Sequence, residues 1–323
     1  MFRLIARLLF AASASIALIP AKAVTPSYPT QPIRLIVPYA AGQGTDVAAR
    51  VIADQLTKGL GQAIVVDNRP GAGGNVGSGA VLNYPPDGYT VLMGTNATHV
   101  VNQFLYANIG YDPEADFAPV ALVGLFPMAI VVPENSPYRT VSDVASAARK
   151  NPDRLNVGMS STTARIVLEL FKREAKAPLF GIAYKGSSSL VTDLVGGRLD
   201  LAVDTVVAVR PLLVPGKLRA VATTTLNSTG VLPGVSSVSE QGVSGFEITP
   251  WNALFVRRGT PPDRIQLLSA EIKRILQLPD VQKRLIELGI EPVYMDSAAT
   301  ADFMHREKEK WGRIVKENKI TAD

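Results

Sequence analysis

The stretch Ile33-Arg34-Leu35-Ile36-Val37-Pro38-Tyr39-Ala40-Ala41-Gly42-Gln43-Gly44-Thr45-Asp46 decides how the rest of the chain reads. Residues 33–37 are an apolar β run stopped by Pro38. A glycine-containing loop follows. Residues 45–58 then carry Val47, Val51, Ile52 and Leu56 at helical spacing, with Gly59 and Gly61 ending the helix. Strand, glycine loop, helix is the opening of a parallel α/β unit.

The unit recurs outward from this point. Residues 63–66 read as a strand, 73–83 as a helix and 90–93 as a strand. Further on, 154–158, 179–184, 200–203 and 218–223 read as strands, with helices at 162–175 and 187–195. The C-terminal part is mostly helical, at 262–278, 281–288 and 297–318. Two αβ blocks are expected, each with its own mostly parallel sheet flanked by helices, joined near 120–133 and 246–256. The lobes are then 24–127 with 246–323, and 128–245. Ligands of open parallel sheets bind beyond the carboxyl ends of the strands, and clefts between domains are common small-molecule sites. The residues that follow strands are therefore the ones to watch.

Composition narrows the class. A chain of 323 residues with 47% apolar content buries a real core. Arg3 and Arg7, an apolar run at 8–19, Pro20 and the small-x-small Ala21-Lys22-Ala23 make a secretory signal peptide over residues 1–23, and the run is too short to span a bilayer. The alternative is an uncleaved anchor. Without Arg3, Arg7 and Lys22 the formal net charge falls from +5, which offers no basic patch for nucleic acid. The apolar stretch 120–132 contains Gly124 and Pro127 and reads as buried strands. There is no cysteine, so disulfides, thiol catalysis, thiolate metal sites and a lipidated N-terminal cysteine are excluded.

Four loops carry chemistry. In the first, Tyr39 to Asp46, Gly42 and Gly44 let the backbone approach a ligand, Thr45 or Asp46 caps the helix, and the amides of a helix start attract an anion. The plain alternative is an ordinary strand-to-helix turn. The second is Gly94-Thr95-Asn96-Ala97-Thr98-His99. His99 invites a catalytic reading with a nearby serine, but the chain has no Gly-x-Ser-x-Gly elbow, and a structural hydrogen-bond partner is the simpler role. In the third, Ser160, Ser161, Thr162 and Thr163 precede an apolar helix face, and Arg165 stands where a cation opposes the helix dipole. Either solvent absorbs that cost or an anion sits nearby. The fourth is Tyr184-Lys185-Gly186-Ser187-Ser188-Ser189, a second anion-receptive amide cluster in which Lys185 faces ligand or a structural partner. Asp204 follows the strand at 200–203 and joins the candidates. The turn Gly71-Ala72-Gly73-Gly74-Asn75-Val76-Gly77 lacks the dinucleotide spacing, because Val76 stands in the third glycine's place, and reads as a tight turn into a helix. No His-Glu-x-x-His, phosphate-loop or clustered metal-ligand motif is present, so no metal or cofactor is expected and binding is favoured over catalysis.

These residues carry a resemblance. Pro32-Ile33-Arg34, Val37-Pro38-Tyr39 with Gly42 and Thr45-Asp46, the run from Val66-Asp67-Asn68-Arg69-Pro70-Gly71 to Asn75, Pro86-Asp87-Gly88-Tyr89-Thr90, Tyr184-Lys185-Gly186-Ser187, Trp251, Gly259-Thr260-Pro261 and Trp311 together resemble the Bug family, the TctC-like receptors of tripartite tricarboxylate transport systems. The resemblance implies a two-lobed periplasmic binding protein that closes by a hinge on a small carboxylate: a di- or tricarboxylate, an acidic amino acid or an aromatic acid. It implies a ligand carboxylate held by Gly42 to Asp46 with Ser160 to Thr162 and Gly186 to Ser188 opposite. It also implies a monomer that serves either a membrane transporter or, as the alternative, a sensor kinase. The family's first loop usually has a second glycine and then proline where Gln43 and Gly44 stand, and often a histidine where Arg165 aligns. Both departures fall at the expected ligand wall, so the ligand's distal end is expected to meet Arg165 or Gln43.

Overall fold

The computed structural model describes residues 28–213, 215–318 and 320; the expected signal peptide at 1–23 lies outside the described residues. Among the described residues, eleven strands run in chain order: β1 (Ile33–Val37), β2 (Ile64–Asn68), β3 (Thr90–Thr95), β4 (Phe117–Leu125), β5 (Met128–Pro133), β6 (Asn156–Met159), β7 (Phe180–Ala183), β8 (Leu201–Thr205), β9 (Leu218–Thr223), β10 (Trp251–Arg257) and β11 (Glu291–Met295). They form two sheets, ordered β11-β4-β10-β3-β1-β2 and β7-β6-β8-β5-β9.

The two sheets share a plan. In each, the first strand of the block sits beside the second and third in parallel, and a strand delivered by a crossover is inserted antiparallel between the third and fourth. That inserted strand is β10 in the first sheet and β5 in the second. The sheets are thus mixed, with four of six strands in the first and four of five in the second running the same way. The chain passes between them at Phe126–Pro127 and again after β9, and Phe126 N donates to Pro250 O at 2.8 Å where the two crossings meet.

Side-chain alternation explains why both faces of each sheet are covered. In β1, Ile33, Leu35 and Val37 enter one apolar cluster and Ile36 enters another. In β5, Met128, Ile130 and Val132 face one way and Ala129 and Val131 the other. Helix Gly44–Leu60 buries Ala48, Ala49, Ile52, Ala53 and Leu56 and stops at Gly61, whose left-handed φ of 66° lets its amide return to Thr57 O. The C-terminal helix Ser297–Asn318 is pinned by Glu307, whose Oε2 accepts from the buried indoles of Trp251 (3.1 Å) and Trp311 (2.8 Å).

Two local expectations differ from the fold. The helix expected at 73–83 is broken: Gly73 (φ 62°) and Gly74 (φ 96°) hold a turn, and regular helix covers only Asn75–Ala80. Strands β3 and β8 also run further than expected, so Thr95 and Asp204 belong to strands instead of the loops after them. Pairing across the sheet holds them there, Thr95 opposite Asn252 and Asp204 opposite Ala129.

Candidate functional site

Between the two sheets lies a cavity of about 440 Å³, within the size range of small-molecule sites. From the first sheet it is lined by Tyr39, Gln43, Gly44, Thr45, the turn from Pro70 to Gly74, Thr95, Asn96 and Tyr106. From the second come Met159, Ser160, Ser161, Thr162, Thr163, Arg165, Tyr184, Lys185, Ser187, Asp204 and Thr205. Phe126, Met128, Pro250 and Asn252 line it where the chain crosses between sheets.

Among the helix starts that reach this cavity, three are built differently from one another. Helix Gly44–Leu60 has Gln43 at its N-cap and no side-chain cap. Helix Ser187–Val195 has Gly186 at its N-cap and again no side-chain cap. The first amides of a helix have no intrahelical partner, so Gly44, Thr45 and Ser187 present an anion-receptive edge. The third helix, Thr162–Glu174, is capped by Ser161, whose hydroxyl accepts from Ala164 N at 3.2 Å. Arg165 sits in its first turn and lines the cavity.

Asp46 does not cap its helix and does not line the cavity. Burial would raise its carboxyl, but hydrogen bonds from Arg50, the Gly42 amide and Asn68 outweigh this and hold it below the ordinary value. Gly42 is exposed and outside the lining, its amide spent on Asp46 at 2.8 Å. Gly186 (φ 175°) is extended backbone, set back behind Gln43: a Cβ there would stand 3.4 Å from Gln43 Nε2. Ser188 is exposed and turned along its own helix, its carbonyl accepting from Thr192 Oγ1 at 2.9 Å. These four of the expected residues therefore stand outside the lining.

The two sides already touch. Asn96 Nδ2 donates to Thr163 Oγ1 at 3.4 Å, and a Cβ on Gly73 would stand 3.5 Å from Thr162 Oγ1. The 70–74 turn, expected to be only a tight turn, is thus part of the wall. Its glycines are needed: a Cβ on Gly74 would meet Thr98 Cγ2 at 2.6 Å, and one on Gly73 would meet the Tyr106 hydroxyl at 2.7 Å. Tyr39 donates or accepts with Thr95 Oγ1 at 2.9 Å, and burial pushes its hydroxyl up to about 12. Burial also raises the Asp204 carboxyl, eased in part by the nearby Ser160 and Ser187 hydroxyls and by the Thr205 amide at 2.7 Å.

His99 is elsewhere. It is 1% exposed, stacked on Phe255 at 3.7 Å and edge-on to Phe117, with Nδ1 2.9 Å from Thr98 Oγ1. Burial lowers its pKa to about 3, so it is a neutral core group. Asn252 is one of the lining residues that sequence reasoning missed. Its signal was a lone amide inside the apolar run Trp251 to Val256, a polar group in a strand that otherwise buries both faces.

A cleft walled by helix starts from two such sheets is the arrangement of a solute receptor, and comparison with known proteins agrees. The tripartite tricarboxylate transporter family receptor matches residues 48–320. The chain belongs to this family. Over 312 residues this receptor is 33% identical to BugT of Bordetella pertussis, covering 96% of this chain and 95% of that one. Its structure matches R. palustris Rpa4515 with adipate at a TM-score of 0.87 and 33% identity, covering 91% of this chain and 99% of that one. It matches MatC from Rhodopseudomonas palustris with bound malate at a TM-score of 0.80 and 30% identity, covering 89% and 100%. The TctC-type receptor is a binding protein and not an enzyme, which sets aside the hydrolase reading of His99.

Proposed function

We propose that this receptor captures a small carboxylate by closing its two lobes and delivers it to a tripartite tricarboxylate-type transporter. The lobes are residues 24–127 with 246–323, and 128–245. The observation that carries the reading is the meeting of two uncapped helix starts, at Gly44 and Ser187, across one cavity lined with hydroxyls from both sheets. Such amides favour an anion without a full positive charge on the protein. The adipate and malate of two similar receptors fit the same chemistry. The ligand is a di- or tricarboxylate, an acidic amino acid or an aromatic acid. It contacts Tyr39, Gln43, Gly44, Thr45, Thr95, Asn96, Ser160, Ser161, Thr162, Lys185, Ser187 and Asp204, and its distal end reaches Arg165. A signal peptide over residues 1–23 exports the chain to the periplasm, where it works as a monomer.

Calorimetric titration with a panel of carboxylates tests this. One or more acids bind with one site per chain. Arg165→Ala weakens the best dicarboxylate by roughly tenfold or more, the scale of a lost charge-assisted hydrogen bond. Unchanged affinity removes Arg165 from the site, and silence across the whole panel removes the carboxylate.

A further inference from the structure

Two fully buried side-chain polar atoms of the cavity residues have no hydrogen-bond partner among the described residues: Asn252 Nδ2 and Asp204 Oδ2. Both residues are 2% exposed. They come from opposite sheets, Asn252 from β10 and Asp204 from β8. Both lie beside the crossings. Pro250, two residues before Asn252, accepts from Phe126 N, and Val206, two residues after Asp204, donates to Pro127 O. The Thr205 amide fixes Asp204 by its other oxygen, Oδ1, at 2.7 Å. Ser160 and Ser187 stand near the carboxylate, but no hydrogen bond of ordinary geometry reaches Oδ2. By contrast, Tyr39 has Thr95 and Asn96 has Thr163 as partners inside the protein. A buried donor and a buried acceptor left over at one cavity mark the chemistry of what fills it.

An amide nitrogen only donates, and a carboxylate oxygen accepts. A bare ligand carboxylate satisfies Asn252 but sets like charge against Asp204. An ammonium satisfies Asp204 and leaves Asn252 unpaired. A hydroxyl donates to one and accepts from the other. We propose that Asp204 and Asn252 form a hydroxyl-recognising subsite, so that the solute is a hydroxy-substituted carboxylate. This rests on the carboxylate-capture reading above: the helix starts hold the acid group, and the crossing region reads its hydroxyl.

Matched pairs test it by calorimetry on the full mature chain: malate against succinate, lactate against propionate and mandelate against phenylacetate, with aspartate as the ammonium counterpart of malate. In the best-bound pair the hydroxylated member binds about tenfold tighter or more, because its partner leaves both groups unpaired. In Asp204→Asn the Thr205 amide retains Oδ1 and puts Nδ2 where the acceptor stood, so the ligand hydroxyl loses the acceptor of its proton and the preference for the hydroxylated member shrinks. Asn252→Ala removes the donor half of the subsite, also shrinks the preference, and serves if Asp204→Asn fails to fold, which thermal unfolding reports. Equal binding within every pair overturns the subsite and leaves carboxylate capture standing. Aspartate binding tighter than malate does the same, as does a hydroxyl preference that is undiminished in folded Asp204→Asn. If no acid of either kind binds, carboxylate capture falls and the subsite with it.

Discussion

Asp46 and Asp204 are both 2% exposed, yet their surroundings push their carboxyls in opposite directions. Asp46 receives Arg50, Asn68 and the Gly42 amide and is held low; Asp204 has one backbone donor of good geometry and is raised by burial. Sequence reading grouped them as candidate ligand residues because both stand near strand ends. What separates them is the set of donors that folding brings up, and Asn68 is 22 residues from Asp46. His99 shows the same limit from the other side. Its sequence neighbourhood left a catalytic role open, and only the stack on Phe255, 156 positions away, makes it a core residue. A testable consequence follows from its depressed pKa. The unfolded chain takes up a proton near pH 6.5 that the native chain refuses until about 3, so stability is lost as the pH falls through that window. The loss reaches about 1.4 kcal/mol per pH unit. Denaturant melts at stepped pH show a flatter acid limb for His99→Phe than for the wild type; parallel limbs contradict the assignment.

Elements were legible where their signal is local. The apolar run at β1, the helical spacing after it and the helix Ser187–Val195 all follow from near neighbours in sequence. Strand ends were not, because β3 and β8 are extended by antiparallel partners, β10 and β5, delivered from elsewhere in the chain. The helix expected at 73–83 failed because three glycines with positive φ can hold a turn that periodicity does not register. The C-terminal helix offers a prediction at this scale. Glu307 is the shared acceptor of two buried tryptophan N–H groups. Glu307→Ala strands both and costs about 2–4 kcal/mol, whereas Glu307→Gln keeps an acceptor and recovers more than half of that. Equilibrium denaturation measures the difference, and equal losses in the two variants would show that packing, not the hydrogen bonds, pins the helix. At the capping box of helix Val141–Lys150, Thr140 accepts from Asp143 N at 3.1 Å, and Thr140→Ala costs about 1 kcal/mol.

Across the whole molecule, the repeated plan of the two sheets turns local chemistry into capture. Parallel strands of both blocks end at the same cavity, and the crossings at Phe126–Pro127 and near Pro250 join the blocks beside it. The hydrogen bond of Asn96 with Thr163 spans the cavity and is one that opening would break. A polar contact of this kind is worth little, so a modest ligand free energy suffices to shift the population between open and closed forms. Sequence conveyed two blocks and a cleft between them. It did not convey that Asn252, in a strand of the core, belongs to the wall.

Closure on a small acid is best tested by small-angle X-ray scattering of the mature chain, recorded with and without a saturating concentration of the tightest acid from the calorimetric panel. The radius of gyration falls on adding the acid while the forward scattering stays that of one chain. An unchanged radius at saturation, with binding confirmed in the same sample, contradicts capture by closing lobes.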